Sequence, residues 1–247
     1  MKVVLLGATK GMGRSLARLM AARGDELFLL GRDADELQRS ATDLQVRGEG
    51  GKGTVGTAVC DLSEPASFPS ALDAAWSALG RVDAVVVTAG LFGTQDELEA
   101  DTERALELLR VNFAHTVVFC EYARKRLLEQ GGGTLCVFSS VAGDRARKPV
   151  VIYGASKAGL SAYLEGLDHK YRSEGLVTVC VKPGFVKTGM TAHLEPPPFA
   201  GEADQVASQV LDAIDKKKPT VYTPSIWRWV MLVIRWLPRF VMRRIGF

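Results

Sequence analysis

Short apolar runs alternate with helical segments along nearly the whole chain, and this alternation constrains its fold more than any other feature. The runs predict strands near residues 2–6, 26–30, 54–60, 82–87, 133–139, 176–182 and 219–223. Helical segments fill most of the intervals, including a long one near 95–129 and another near 153–173. Strands that alternate with helices favour a parallel sheet covered on both faces. The chain is therefore predicted to be an α/β protein.

Length and composition agree with this architecture. The chain has 247 residues, of which 47% are hydrophobic and 24% charged, as is ordinary for one globular domain with a large core. It shows no internal repeat and no interdomain linker. The glycine-rich stretch at 48–53 is predicted to be a surface loop, and the glycines at 131–133 a turn before the fifth strand.

Cysteine and histidine usage limits the chemistry and the compartment. The four cysteines lie on predicted strands or a helix, which favours buried thiols in a reducing compartment; they are Cys60, Cys120, Cys136 and Cys180. The three histidines show no metal-ligand spacing, so no metal site is predicted. A strand begins at once, with Lys2 as its only early charge, so we expect no signal peptide and a cytoplasmic location.

A glycine-rich segment directly follows the first predicted strand and precedes a helical pattern. Its glycines have the spacing Gly-x3-Gly-x-Gly. Glycine allows close backbone approach to phosphates, and a helix N-terminus attracts them, so the segment predicts a dinucleotide site. The alternative is a plain strand-to-helix turn. The candidate contacts are Gly7, Thr9, Lys10, Gly11, Met12 and Gly13.

The second predicted strand ends in a basic residue, where dinucleotide folds often place an acidic one. Gly31 is at the tip and Arg32 follows it. Arg32 and Lys10 converge where an adenosine 2′-phosphate would lie, and both carry the charge that suits a phosphate. This predicts NADPH (NADP) as the cofactor, with two solvated surface cations as the alternative. Asp33 is predicted to cap the next helix.

A tyrosine and a lysine lie four residues apart, at Tyr153 and Lys157. At this spacing they share a helix face and can point into one cleft. A phenol has a pKa of about 10 and a nearby ammonium lowers it, so Tyr153 is predicted to protonate a carbonyl oxygen as hydride reaches the carbonyl carbon. Ser140 could donate a hydrogen bond to the same oxygen. Alone, the pair would indicate only an amphipathic helix, but the glycine loop and the strand pattern favour catalysis.

In this order, the segments of residues 1 to about 220 resemble the short-chain dehydrogenase/reductase family, which implies a doubly wound, Rossmann-like parallel sheet. The matching segments are Gly7-x3-Gly11-x-Gly13, Asp61-Leu62, Thr88-Ala89-Gly90, Val111-Asn112, Ser139-Ser140-Val141-Ala142-Gly143, Tyr153-x3-Lys157 and Pro183-Gly184-x3-Thr188. Leu6 and Thr88 depart from the family pattern, which usually has Thr and Asn there. Those residues normally brace the cofactor loop, so the departures bear on loop geometry and not on catalysis.

The resemblance implies a role for each matching position. Tyr153 would be the acid/base, and Ser140, not Ser139, matches the family's serine. Asn112 would hold a water that links Lys157 to solvent, and Lys157 would also bind the nicotinamide ribose. The implied cofactor contacts elsewhere are Asp61 and Leu62 beside the adenine, Ala89 and Gly90 after the fourth strand, Pro183 and Gly184 after the sixth, and Thr188 at the carboxamide.

The last third of the chain also shows a narrower resemblance. The segments 139–145, 191–194, 227–231 and 237–239 resemble the keto-reducing subunits of decaprenylphosphoryl-ribose epimerases. Those enzymes reduce a 2-keto-pentose carried on a polyprenyl phosphate, which implies a lipid-linked keto-sugar as substrate. Residues 185–200, with three consecutive prolines, follow the sixth strand and are predicted to cover the substrate, or else to form a passive surface loop.

The segment 221–247 is basic and rich in tryptophan. It contains five arginines and no acidic residue. Its positive charge therefore exceeds the net charge of +3 of the whole chain, so the basic character is local. Arg235 and Pro238 interrupt an apolar run that is too short for a spanning helix of about 20 residues. We predict an amphipathic tail, with its arginines on one helical face, that contacts a membrane peripherally. The alternative is a helix packed on its own core or on a partner subunit.

Together these patterns predict a dinucleotide-binding catalytic domain at 1–220 and a basic tail at 221–247. The predicted function is an NADPH-dependent carbonyl reductase acting on a small-molecule, hydrophobic or lipid-linked ketone, as a homo-oligomer and without a nucleic-acid partner. Two alternatives stay open: a soluble 3-ketoacyl or small-ketone reductase whose tail is a dimer contact, and a non-catalytic nucleotide sensor bound to a membrane or a protein. The set Asn112, Ser140, Tyr153 and Lys157 argues against the sensor.

Overall fold

A computed structural model describes residues 1–48 and 55–245, so all of the predicted 48–53 loop except Gly48 lies outside the described residues. The strands are β1 Lys2–Leu6, β2 Glu26–Gly31, β3 Val55–Val59, β4 Ala84–Val87, β5 Gly133–Phe138, β6 Leu176–Pro183, β7 Val186–Lys187, β8 Gly201–Glu202 and β9 Thr220–Thr223. The α-helices are α1 Gly11–Ala22, α2 Ala34–Arg47, α3 Phe68–Leu79, α4 Gln95–Ala100, α5 Thr102–Leu109, α6 Thr116–Glu129, α7 Val151–Tyr171, α8 Ala203–Asp215, α9 Ile226–Trp236 and α10 Arg239–Arg244. Short 3-10 helices span Pro65–Ser67, Val141–Gly143, Lys148–Val150, Arg172–Glu174 and Gly189–Thr191, and Arg110–His115 is a π-helix.

The predicted parallel sheet is confirmed. Its strands lie in the order β3-β2-β1-β4-β5-β6-β9, and every neighbouring pair is parallel. The first and last residues of each strand of this sheet lie within two residues of the predicted ones. The order reverses between β1 and β4, so a crevice opens beyond the carboxyl ends of these two strands. This crevice is where the fold brings the glycine loop and the residues after β4 together.

Helices cover both faces of the sheet, and side chains alternate between two cores. Val4 and Leu6 pack in a cluster with α3, α6 and α7, while Val3 and Leu5 pack with α1, α2 and α8. All four side chains are essentially inaccessible to solvent. Burial of such side chains contributes about 1.5–3 kcal/mol each, and the alternation explains why the strands read as continuous apolar runs.

The prediction of a single long helix near 95–129 is wrong, because this region forms four helical segments: α4, α5, the π-helix and α6. Thr94 caps α4 in a reciprocal pair with Glu97, and Asp101 accepts a hydrogen bond from the backbone of Arg104 to begin α5. Each cap supplies acceptors for N–H groups and so starts a new helix. The π-helix at Arg110–His115 then places Asn112 beneath the loop after β4.

The tail differs from its prediction in two ways. First, β9 pairs with β6, so residues 221–223 belong to the sheet and not to the tail. Second, the tail is two helices, since Pro238 lacks an N–H and restricts the residue before it. The arginines predicted to share one helical face are therefore divided between α9 and α10. Within residues 1–48 and 55–245, no helix is both long and apolar enough to cross a bilayer.

Candidate active site

The loop between β1 and α1 has a backbone that only glycine accommodates. Gly7 and Gly11 have φ angles of 98° and 51°, in the left-handed region. A Cβ on Gly7 would lie 2.6 Å from Oγ1 of Thr88, and one on Gly13 would overlap the carbonyl oxygen of Gly7. Because α1 begins at Gly11, its first N–H groups have no partner within the helix and are available to a ligand. This open backbone at a helix N-terminus fits a pyrophosphate.

Thr88 braces this loop. Its Oγ1 donates to the carbonyl oxygen of Gly7 at 2.9 Å and lies 3.2 Å from that of Leu6. The backbone N–H groups of Thr88 and Ala89 also donate to Leu6, at 2.9 and 3.2 Å. Thr88 therefore ties the end of β4 to the glycine loop even though the family's usual residues at Leu6 and Thr88 are missing.

The two cations predicted to bind a 2′-phosphate lie at one end of the sheet. Lys10 directly precedes α1, Arg32 directly follows β2, and both are exposed. Asp33 caps α2, accepting from Glu36 N at 2.9 Å, and this hydrogen bond is the main cause of its lowered pKa. The charge of Lys10 adds to that lowering.

The remaining predicted cofactor residues surround the same crevice. Gly184, after Pro183 at the end of β6, donates its N–H to Thr223 at 2.9 Å. Thr188 lies opposite the glycine loop, since a Cβ on Gly11 would be 3.4 Å from Cγ2 of Thr188. Asp61 accepts from Ser63 N at 2.8 Å in the turn after β3. The Leu62 side chain is buried in the core, so the part of Leu62 nearest a ligand would be its backbone.

The two adjacent serines have different environments. Ser139 Oγ donates to the carbonyl oxygen of Lys157 at 2.8 Å and lies 2.7 Å from Ser161 Oγ, so it holds β5 against α7. Ser140 Oγ accepts from Ala142 N at 3.1 Å, donates to the carbonyl oxygen of Pro183 at 3.4 Å, and acts to lower the pKa of Tyr153. That Ser140 and not Ser139 serves the reaction stays a prediction.

Tyr153 lies in the first turn of α7 with its ring edge-on to Phe92, at 5.1 Å between centroids. Desolvation raises the pKa of Tyr153, while the Ser140 hydroxyl and the charge of Arg147 act in the opposite direction. The lowering of this pKa by Lys157 stays a prediction. Lys157 Nζ donates to the carbonyl oxygen of Phe138 at 3.0 Å and lies 5.8 Å from the Tyr153 ring centroid.

Lys157 and Asn112 form the buried floor of the site. Burial lowers the pKa of Lys157 to about 8. The Asn112 amide donates to the carbonyl oxygen of Leu91 and accepts from its N–H, both at 2.7 Å, so it fixes the loop after β4. A Cβ on Gly90 would lie 3.0 Å from Asn112 Oδ1 and 3.5 Å from Lys157 Nζ, which shows how closely the three residues pack. The water relay through Asn112 stays a prediction.

Other reactive groups lie outside this chemistry. All four cysteines are free and buried as predicted, and burial raises their pKa values, that of Cys60 to about 11. In the described ranges no group of His, Cys, Asp and Glu side chains is arranged to hold a metal ion.

Two residues of the site were missed from the sequence. Arg147 is six residues before Tyr153, and the basic cluster around it was a usable signal. Trp227 of α9 packs on Gly184 and donates its Nε1–H to the carbonyl oxygen of Phe199 at 3.3 Å. The tail thus contacts both the end of β6 and the predicted cover segment, a tertiary contact that no local pattern indicates.

Comparison with known proteins agrees with this geometry. Residues 1–198 match the family model for short chain dehydrogenase. An oxidoreductase of Mycobacterium tuberculosis is 31% identical over 242 residues, covering 98% of this chain and 96% of that protein. Carbonyl reductase family member 4 of Xenopus laevis is 26% identical over 215 residues, covering 84% of this chain and 88% of that one. A solved short-chain dehydrogenase from Sphingobium yanoikuyae in complex with NADPH shares the fold, with a TM-score of 0.82 and 23% identity over 94% of this chain and 92% of that one.

Proposed function

The chain belongs to the short-chain dehydrogenase family and is an oxidoreductase, and from this premise we propose that it is an NADPH-dependent carbonyl reductase. The reaction converts a ketone to a secondary alcohol by hydride transfer. The observation that carries the proposal is the gathering of Ser140, Tyr153, Lys157 and Asn112 beside a glycine loop that fits a pyrophosphate. The relative in Xenopus laevis named as a carbonyl reductase supports the same reaction.

A bound nicotinamide dinucleotide supplies the hydride, and the side chains supply the remaining groups. Ser140 donates a hydrogen bond to the carbonyl oxygen and holds it beside Tyr153. Because the pKa of Tyr153 is raised, its phenol is protonated at neutral pH and gives that proton to the oxygen as negative charge develops. Arg147 stabilises the phenolate that remains. Lys157 would bind the nicotinamide ribose through its buried ammonium.

The direct test is NADPH consumption by the purified full chain with a panel of ketones, apolar ones being presented in detergent micelles. Tyr153→Phe removes the proton donor and leaves the ring in contact with Phe92, so cofactor binding should be nearly unchanged. General acid catalysis contributes about 10²- to 10⁴-fold, and turnover should fall by that factor. No consumption with any ketone, or normal turnover in Tyr153→Phe, would contradict the proposal.

We further propose a preference for NADPH over NADH, supported by the positions of Lys10 and Arg32 and by the solved relative that holds NADPH. Replacing both cations by glutamine should raise KM for NADPH by about 10²-fold or more, since charge-assisted hydrogen bonds to a phosphate contribute about 1.5–3 kcal/mol each. KM for NADH should hardly change. Equal efficiency with the two cofactors in the unmodified protein would refute this preference.

We propose that the ketone is hydrophobic or lipid-linked and is met at the cytoplasmic face of a membrane. The tail presents an apolar face to solvent, and the Trp236 side chain is 83% exposed. The other exposed apolar side chains of this face are Trp229, Leu232, Val233 and Phe240. Arginines flank the face and residues 224–247 contain no acid, so the charge complements an anionic lipid surface. The narrower sequence resemblance supports a keto-sugar carried on a polyprenyl phosphate.

Vesicle binding distinguishes this proposal from a tail that serves as a dimer contact. The full chain should bind phosphatidylglycerol vesicles, and the binding should weaken as salt rises. Trp236→Ser should weaken it, whereas Trp76→Phe, a change in a partly buried tryptophan of α3, should not. If the full chain ignores vesicles at low salt and Trp236→Ser instead halves the mass in solution, the tail is a subunit contact.

We also propose a homo-oligomer formed through a different surface. Leu106, Leu109, Phe113, Val118 and Tyr122 are each 37–39% exposed on the α5–α6 side of the molecule. Large apolar side chains grouped on one surface mark protein contacts. Replacing Leu109 and Phe113 by serine should convert the oligomer to monomer in light scattering, and a monomeric unmodified protein would contradict the proposal.

A further inference from the structure

We propose that a cavity between the active-site loop and the tail binds a phosphoryl group carried by the ketone substrate. The cavity has a volume of about 530 Å³ and lies between the loop 143–148 and α10. The cationic side chains that line it are Arg145, Arg147, Lys148, Arg239 and Arg243. The inference rests on the proposed ketone reductase and assigns a binding site to an anionic group of its substrate.

The positive charge of the cavity is not balanced by the described part of the chain. Asp144 is the acidic residue of the lining, and its carboxylate is shared between Lys182 Nζ and the Tyr222 hydroxyl, each at 2.6 Å. Within residues 1–48 and 55–245, none of the five cations forms a salt bridge. Grouped like charges repel one another, which is unfavourable in free energy. An anion bound between the cations would offset this repulsion.

Arg147 has an unused donor inside this cluster. Its Nε is buried and has no hydrogen-bond partner among the described residues. A buried polar group without a partner costs free energy comparable to a lost hydrogen bond, and more when the group is charged. Phosphate oxygens match the planar donors of a guanidinium, so a phosphoryl group would supply the missing acceptor.

The tail fixes two further cations against the same loop. Arg239 and Arg243 are four residues apart on α10 and therefore share a face. The loop side chains hold this helix by its backbone: Arg145 Nη2 donates to Leu237 O at 2.6 Å, and Lys148 Nζ donates to Arg243 O at 2.7 Å. The cluster is thus built from two segments distant in sequence but bonded to each other.

The position of the cavity points to the substrate as the source of the phosphate. The loop 143–148 joins the Ser140 turn to α7, and the charge of Arg147 acts on Tyr153. A phosphoryl group bound there would lie at the edge of the active site. The adjacent apolar face of the tail would then accept an apolar chain attached to the same phosphate.

Calorimetry with inorganic phosphate tests the site without any turnover. The full chain is saturated with NADP⁺ first, so that the phosphate sites of the cofactor are filled. We expect saturable phosphate binding that Arg243→Gln weakens by about 10-fold or more, because a charge-assisted contact is lost. Arg243 is exposed, so its replacement should not affect folding. Arg244→Gln, the neighbouring charge change outside the lining, should leave the affinity unchanged. No saturable binding, or equal weakening in both variants, would overturn the site.

Kinetics and vesicles then separate the source of the phosphate from the reductase proposal. With dihydroxyacetone phosphate and dihydroxyacetone as matched probes, Arg243→Gln should lower kcat/KM only for the phosphorylated ketone. If no ketone is reduced but phosphate binds as expected, the reductase proposal fails and the anion site stands. If inorganic phosphate, compared with chloride at the same ionic strength, releases the protein from phosphatidylglycerol vesicles and does not inhibit ketone reduction, the cavity holds a lipid headgroup, and the substrate assignment is overturned.

Discussion

At the scale of single residues, the cofactor loop depends on the absence of side chains. A Cβ on Gly13 would overlap the carbonyl oxygen of Gly7, so Gly13→Ala must displace the loop backbone. Overpacking of this kind costs about 1–3 kcal/mol, and NADPH affinity should fall by about 10-fold or more. Gly166→Ala is the matched control, because Gly166 lies in α7 and a Cβ there would have no atom within 4 Å. This substitution should stabilise the fold slightly, since alanine has a higher helix propensity than glycine. Unchanged NADPH affinity in Gly13→Ala would contradict the placement of the cofactor.

The raised pKa of Tyr153 sets the pH dependence of the two reaction directions. Ketone reduction uses the protonated phenol, so kcat/KM for reduction should be flat from about pH 6 to about pH 8. Alcohol oxidation uses the phenolate and should rise by about tenfold per pH unit in that range. Because Arg147 lowers the pKa of Tyr153, Arg147→Met should move the alkaline limb to higher pH. Oxidation that does not depend on pH would exclude Tyr153 as the group that exchanges the proton.

The predictability of the site also differs residue by residue. The glycine spacing, the Tyr153 and Lys157 pair and Ser140 follow from local sequence, and the structure brings them together. The effect of Arg147 on the pKa of Tyr153, the burial of Lys157 and its bond to Phe138 did not follow from local sequence, because all three are tertiary effects. Spacing along a helix shows which side chains share a face but not which of them is desolvated.

At the scale of elements, α9 has two faces with different roles. Trp227, Met231 and Ile234 are buried and pack with Val141 beside the active site, while Trp236 faces solvent. Trp227→Ala should lower the free energy of unfolding by about 3–5 kcal/mol, as for large-to-small changes at other buried tryptophans. Trp236→Ala should leave stability nearly unchanged and weaken vesicle binding. Equal losses of stability, measured by urea unfolding, would show that both faces pack on protein.

The strands were easier to predict from sequence than the helices. A strand buried on both faces appears as an apolar run whose bounds are visible, whereas a helix boundary depends on single side chains. Thr94 and Asp101 divide the region predicted as one long helix by capping, and Asn112 is positioned by a π-helix. Pro238 was recognised as an interruption, yet the separation of the arginines onto two helices required the structure.

At the scale of the whole molecule, the tail packs against the predicted catalytic domain. Trp227 contacts Gly184 and the carbonyl oxygen of Phe199, and Arg145 holds Leu237. A chain ending at Thr220 would lose most of β9 and the buried face of α9. We expect this truncated chain to unfold at a lower urea concentration than the full chain and to lose activity even on a water-soluble ketone. Full activity of that truncated chain would show that the tail is an independent attachment.

The central claim is that this chain transfers hydride from a nicotinamide to a carbonyl carbon while Tyr153 protonates the oxygen. The most direct measurement uses NADPH deuterated at its transferable position and a ketone that supports turnover, with mass analysis of the alcohol. We expect one deuterium on the carbinol carbon, formed about 10²- to 10⁴-fold more slowly in Tyr153→Phe. Consumption of NADPH without deuterium in the alcohol, or equal rates in the two proteins, would contradict it.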